Sequence, residues 1–422
     1  MKARFFCFLL FTALFISLHS GTRGATQITG IRNTGRQSKS SVEFALRTKG
    51  AHRKWSVRVA DQFITSHPAD EIYEGGYNGK WTYAQGVFLE GLQQLWLSTR
   101  KPRYLRYIKS NIDMFIGGDG SIRTYNYCDF NVENINTGRQ LLFLYTLTGD
   151  KKYKSAADTL RKQLKNQPGI ISNSTSSEAC PFQMRLEGLY MAEPFFTQYS
   201  KIFRERRNFG DIAQQILLME KKTRNEETGL LSDAWDKSLN ERLSDTKAGN
   251  SLNYFTRIMG SYAMAVADVL DYFPKNHTKR CELIRSLRKL SEAMMKVRDR
   301  NCHLWYRLAD KAGGKDNPHE FTASCMLAYA FAKGANRGYL DQKYLKFAKE
   351  IFYGVVNNFD AAKESVPKDS QQSFTIRDAA GEPFSGVGSF RYKIDELQKS
   401  ASLEALGSFL LLTLELEKGK VL

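Results

Sequence analysis

Apolar residues recur at three- and four-residue steps along most of this 422-residue chain, and almost no strand-type alternation competes with them. Turns containing Gly, Asn, Asp or Pro cut the pattern into twelve helical segments. They run over 50–66, 81–99, 102–117, 134–148, 151–167, 183–202, 207–223, 253–272, 278–296, 319–335, 341–357 and 399–417. Every second segment is the more apolar one, as from Gln183 to Phe196, Tyr254 to Leu270 and Leu403 to Leu414. A helix that is apolar all round has to be buried on all sides. The alternation therefore predicts an all-α architecture with six inner helices, each carrying an outer partner.

An internal echo supports paired helices. Asp150-Lys-Lys-Tyr153 and Asp341-Gln-Lys-Tyr344 both set a helix-capping Asp three residues before a Tyr, and Lys101-Pro-Arg-Tyr104 is a weaker copy. In each case the Tyr-bearing helix follows a more apolar one after a very short turn, the pattern of an antiparallel hairpin. Six such hairpins side by side make the inner helices parallel and gather their N-termini, with the long loops before them, on one face. A closed (α/α)6 ring lets one core span residues 26–422 as a single domain; an open helical solenoid is the other arrangement the pattern allows.

Residues 1–25 read as a secretory leader: Lys2 and Arg4, an apolar run from Phe5 to Leu18, then the small residues Ser20, Gly21, Gly24 and Ala25. Export to a periplasm or the medium is expected, and no stretch reaches the roughly 20 apolar residues of a membrane span. The net charge is +18 and stays strongly positive without Lys2, Arg4 and Arg23, which suits an acidic substrate or surface. Nucleic acid is a poor fit, because no basic helix, zinc spacing or RNP-like strand accompanies the charge. Cys128, Cys180, Cys281, Cys302 and Cys325 form no C-x-x-C pair and are expected to be buried small apolar residues. The histidines are scattered, none at i,i+4 from another or beside clustered acids, so neither a metal site nor a cofactor is expected.

Polar and aromatic residues collect at the starts of the apolar segments: Trp81 and Tyr83; Asn131, Glu133, Asn134 and Arg139; Gln183, Arg185 and Glu187; Asn253 and Arg257; Glu320. A carboxylate facing the apolar interior of a ring is desolvated, which raises its pKa toward the range where it exchanges protons near neutrality. Each acid taken singly also fits an ordinary solvated side chain in a first helical turn.

The segment Pro181-Phe-Gln-Met-Arg-Leu-Glu-Gly-Leu-Tyr-Met-Ala-Glu-Pro-Phe195 resembles the most diagnostic stretch of the unsaturated rhamnogalacturonyl hydrolases, glycoside hydrolase family 105, related to the unsaturated glucuronyl hydrolases of family 88. Further counterparts follow in order: Trp81-Thr-Tyr-Ala-Gln-Gly-Val-Phe88, Glu133-Asn-Ile-Asn-Thr-Gly-Arg139, Thr228-Gly-Leu-Leu-Ser-Asp-Ala-Trp-Asp236, Met259-Gly-Ser-Tyr-Ala-Met-Ala265 and Ala332-Lys-Gly-Ala-Asn-Arg-Gly-Tyr-Leu340. The resemblance implies a closed ring of six helical hairpins acting on oligosaccharides that a lyase has left with a 4,5-unsaturated uronic acid at the non-reducing end. It further implies Glu187 as proton donor and water activator and Glu133 as the acid that holds the sugar or steadies positive charge. Tyr83, Asn134, Gln183, Arg185, Trp235, Asn253 and Arg257 would bind substrate.

Against the family pattern, Glu stands at 133 and 187 for a usual Asp, Arg185 and Ser261 for Trp, and Asn253 and Asp233 for His. Three functions are compatible with those replacements: a hydrolase shifted to another unsaturated uronide, a catalytically impaired protein that binds acidic oligosaccharides, and a conventional glycosidase using two carboxylates on the same ring.

Overall fold

The computed structural model describes residues 54–69, 79–167, 183–236, 244–245, 250–251, 253–311, 317–358 and 403–422. The expected leader and Cys180 lie outside these residues. The described helices are α1 (Trp55–Ser66), α2 (Tyr83–Thr99), α3 (Pro102–Asp113), α4 (Gly138–Thr148), α5 (Lys151–Asn166), α6 (Gly188–Ile202), α7 (Asn208–Thr223), α8 (Thr256–Tyr272), α9 (Arg280–Lys296), α10 (Phe321–Asn336), α11 (Lys343–Asn358) and α12 (Leu403–Lys418).

The even-numbered helices form the inner wall. Every residue from Thr322 to Ala335 of α10 is buried, as is every residue from Leu403 to Leu416 of α12. Each inner helix packs on the next, α2 on α4 and so on to α12, and α12 packs back on α2, which closes the ring and excludes the solenoid. Gly407 makes that closure possible: a Cβ there would lie 2.6 Å from the backbone nitrogen of Phe88 in α2. The outer helix α1 docks on α12, where Glu417 accepts hydrogen bonds from the backbone N–H (2.9 Å) and hydroxyl (2.7 Å) of Ser56.

The capping echo has a structural meaning. Asp150 accepts from the Lys152 N–H at 3.0 Å and Asp341 from the Lys343 N–H at 2.8 Å. The buried tyrosines that follow tie outer helices together: Tyr104 of α3 donates to Asp61 of α1 at 2.8 Å, and Tyr153 of α5 to Asp113 of α3 at 2.6 Å. Short turns join α2 to α3 and α4 to α5, with Arg100 and Gly149 in left-handed conformation closing the inner helices. The long connections all precede inner helices in the chain.

Several inner helices start later than expected. Residues 183–185 are not helical; they form β1 (Gln183–Arg185), paired antiparallel with β2 (Ala234–Asp236), and β3 (Ser244–Asp245) and β4 (Asn250–Ser251) complete a small sheet in the order β1-β2-β4-β3. The reason is local alternation. Met184 and Leu186 are fully buried while Arg185 and Glu187 are half-buried, a period of two that a strand satisfies and a helix does not.

Arg139 does not face the open end of the ring. It turns into the interior, 2.9 Å from Asp268 and 3.3 Å from Glu90. Lys333 lies 2.6 Å from Asp268 and 2.7 Å from Asp271, and the Tyr329 hydroxyl donates to Asp268 at 2.7 Å. This charged plug links α2, α4, α8 and α10. Burial pushes the Asp268 carboxyl up, but Lys333 and Arg139 outweigh it and hold the group below its ordinary value. The cysteines divide: Cys325 is buried as expected, Cys302 is half-buried, and Cys128 and Cys281 are exposed, because the latter two sit on a loop turn and an outer helix that the ring core does not cover.

Candidate active site

The starts of four inner helices, α4, α6, α8 and α12, bring together acids and guanidinium groups. Glu133 sits in a 3-10 turn (Val132–Asn134), where its own N–H donates to the Asn131 side-chain oxygen at 2.9 Å. Trp81, almost wholly buried, fixes that turn by donating its indole N–H to the Asn134 carbonyl at 2.7 Å. Tyr83 is buried at the first position of α2. Strand β1 delivers Arg185, and the turn after it delivers Glu187; their side chains meet at 3.0 Å and are about one-fifth exposed, 22 % and 20 %.

Arg257, in the first turn of α8, is ion-paired with Glu404 in the first turn of α12. Asp233 is buried and close enough to Glu187 to raise its pKa: its carbonyl accepts from the Leu186 N–H at 2.9 Å, and its own N–H donates to the Asn253 carbonyl at 3.3 Å. Glu320 is buried at the cap of α10 and its N–H donates to the Trp305 carbonyl at 2.7 Å.

Electrostatics bind these groups into one unit. Burial pushes the Glu187 carboxyl above its ordinary value; Arg185 pulls it down, Glu133 pushes it up again, and Arg257 and Asp233 act in opposite directions more weakly. Glu133 is raised by burial and drawn back by Arg185. Both acids hold a proton at higher pH than a solvated glutamate, the property a general acid needs.

Residues 55–419 match Glycosyl Hydrolase Family 88. The chain belongs to that family. Among solved structures it is similar to a family 105 glycoside hydrolase of C. acetobutylicum ATCC 824, at 33 % identity and a TM-score of 0.77, over 87 % of this chain and 100 % of that one. Among curated proteins it is similar to the unsaturated rhamnogalacturonyl hydrolase YesR of Bacillus subtilis (strain 168), 24 % identical over 273 residues, which cover 63 % of this chain and 73 % of YesR. The unsaturated glucuronyl hydrolase of Bacillus sp. GL1 shares the fold at 12 % identity, with a TM-score of 0.60 over 87 % of this chain and 96 % of its own.

Within this family 88 glycoside hydrolase, the expected site residues Glu133, Arg185 and Arg257 are near enough to Glu187 to shift its pKa, and Asn134 and Asn253 belong to the loops that carry them. Gln183 is the first residue of β1. Trp235 departs from expectation. It pairs directly with Met184, so both side chains leave the same face of the sheet, the face opposite Arg185. Its indole is 7 % exposed and covered by the Lys222 ammonium of α7, 4.7 Å from the ring centroid. Trp235 therefore packs behind β1, and its partner in register on the Arg185 face is the small Ala234.

Glu404 was not singled out in the sequence. Its signal is an acid one residue into a helix that is otherwise apolar as far as Leu414, a position that a helix dipole explains equally well.

Proposed function

We propose that this chain removes the 4,5-unsaturated uronic acid from the non-reducing end of lyase-generated acidic oligosaccharides by hydrating the double bond. Glu187 gives its proton to C4 of the enol ether, and positive charge develops at C5 and the ring oxygen. Glu187, now a carboxylate, draws a proton from the water that adds at C5. The hemiketal so formed opens and releases the remaining sugar chain. Glu133 steadies the developing positive charge. The observation that carries this reading is the pair of raised-pKa carboxyls, Glu187 and Glu133, around Arg185 at the mouth of the ring.

Arg185 has a double part in this scheme. In the free protein its guanidinium pairs with Glu187 and favours the carboxylate. A uronate carboxylate entering the pocket is a better bidentate partner for the planar fork. As Arg185 turns toward the substrate, Glu187 loses its cation and takes up the proton it later delivers, so binding arms the acid. The similarity to YesR and to the family 105 enzyme supports the substrate class, and the net charge of +18 supports an acidic one.

The test mixes the purified protein with unsaturated disaccharides from pectin, ulvan and glycosaminoglycan digests and follows the ultraviolet absorbance of the double bond. Turnover of at least one, abolished in Glu187→Gln, is the expected result. Binding by calorimetry without turnover on any of them overturns the catalytic reading in favour of a binding protein, and sugar release from saturated substrates alone points to a conventional glycosidase. Export after removal of residues 1–25 belongs to the same proposal, since lyase products arise where the polymer is. Mass measurement of the mature chain tests it. Among the described residues no helix is long and apolar enough to cross a membrane.

A further inference from the structure

The loop between α9 and α10 carries a second cluster that the reading above does not use. The Cys302 sulfur lies 3.3 Å from Nε2 of His319, and that same nitrogen lies 3.1 Å from Oδ2 of Asp299. All three ligand atoms fall within 4.8 Å of one another. Scattered spacing in the sequence argues against a metal site; folding brings these three together.

We propose that Asp299, Cys302 and His319 form a zinc-type metal site with three protein ligands and a fourth position open to water. A tetrahedral zinc ion with ordinary bond lengths sets sulfur and nitrogen about 3.6 Å apart and nitrogen and oxygen about 3.3 Å apart. The observed separations of 3.3 and 3.1 Å need to open by only about 0.2–0.3 Å to admit it. Thiolate, imidazole and carboxylate together suit zinc or cobalt far better than calcium or magnesium, which take oxygen ligands.

The surrounding structure holds the ligands in place. The other oxygen of Asp299, Oδ1, accepts from the Asn301 N–H at 2.7 Å, which orients the carboxylate with Oδ2 toward the cluster, and the Tyr306 hydroxyl donates to Oδ2 at 2.7 Å. Such outer hydrogen bonds are the usual support of a metal ligand. Tyr306 and His319 form a backbone bridge, and their rings stack at 4.3 Å. Gly354 of α11 backs the turn: a Cβ there would sit 2.2 Å from the Cys302 carbonyl oxygen, so α11 presses directly on that backbone. His319 and Asp299 are 29 % and 12 % exposed, leaving an approach from solvent. The bound ion would pin the segment entering α10, which carries Glu320, to the 299–302 turn.

The experiment strips the full-length protein with a chelator and titrates it with zinc ion by calorimetry, and in parallel with cobalt(II) by absorbance. Expected are one high-affinity ion per chain, a near-ultraviolet sulfur-to-cobalt band, and a loss of affinity of at least about a hundredfold in both Cys302→Ser and His319→Gln. The band disappears in Cys302→Ser, a near-isosteric change whose folding is checked by circular dichroism. The proposal is overturned if the wild-type chain takes up no zinc, if both variants bind as well as wild type, or if the cobalt band survives without Cys302. Cys128 and Cys281 are exposed, and the last two outcomes would assign the metal to such thiols instead.

Discussion

Two clusters of charge lie inside the same ring, and Asp268 in one is displaced in the opposite direction to Glu133 and Glu187 in the other. In the interior plug, the buried acids Glu90 and Asp268 meet the buried cations Arg139 and Lys333 in matched numbers, with the exposed Asp271 and Arg337 pairing at its edge, and Asp268 is held below its ordinary pKa. At the mouth, the described acids Glu133, Glu187, Asp233 and Glu404 outnumber Arg185 and Arg257, and Glu133 and Glu187 are held above theirs. Burial pushes the Asp268, Glu133 and Glu187 carboxyls upward alike; what differs is how much positive charge answers it. The plug is neutralised and holds four helices in register. The mouth is left short of cations, so it keeps protons, which is a cost to the folded state and the means of an acid catalyst.

The comparison breaks most visibly in stability. Lys333→Met leaves the buried Asp268 against one cation fewer and is expected to cost about 3–5 kcal/mol in urea unfolding. Arg185→Met, at a partly exposed pair whose acid is free to protonate, is expected to cost less than about 1 kcal/mol. Equal losses would mean that the two clusters do the same structural work. The next effect is on rate. Glu187→Gln should lower kcat by about 10²–10⁴-fold while the unfolding midpoint stays level or rises, and a variant that loses stability in step with activity would remove Glu187 from the proposed chemistry.

The ring was legible in the sequence because the inner helices advertise themselves locally: α10 and α12 are predominantly apolar, and the Asp150 and Asp341 caps mark where the outer partners of α4 and α10 begin. The sheet was written in the chain too, in the alternation of Met184, Arg185, Leu186 and Glu187, but four residues are too few to outweigh a helical period on their C-terminal side, and their pairing partner lies about fifty residues on. Register then decided that Trp235 faces away from Arg185, something no single segment reveals. Long-range pairs were the least visible. Arg257 meets Glu404 across 147 positions, and Cys302 meets His319 across 17 in a loop without regular spacing. Composition hides such partners because an acid in a first helical turn, or a lone thiol in a loop, has a sufficient local explanation.

Arg185→Ala sharpens the contrast through pH. Arg185 pulls down the pKa of both Glu187 and Glu133, so its removal raises them in the free enzyme. A proton donor loses activity as pH rises through its pKa; the alkaline limb of kcat/KM therefore moves to higher pH in Arg185→Ala. KM should rise about 10–100-fold as the uronate loses its charged partner. An unmoved limb would separate Arg185 from the acid.

The smallest effect is the pH dependence of stability, and its sign differs between the clusters. Asp268, with a lowered folded pKa, contributes stability that is present above its unfolded value of about 3.9 and lost as pH falls through the folded one. Glu187, with a raised folded pKa, works the other way. Between its unfolded value of about 4.3 and its higher folded value, the native state binds more protons than the unfolded chain, so its contribution declines as pH rises across that interval. Glu187→Gln has no such group to ionise. The unfolding free energy of the variant relative to wild type should therefore grow from pH 4 to pH 7, with the gap opening above the unfolded value and levelling off where kcat/KM begins to fall. A constant gap would mean that Glu187 titrates alike in the folded and unfolded chain, and the cation-poor mouth would then be no different from the plug beneath it.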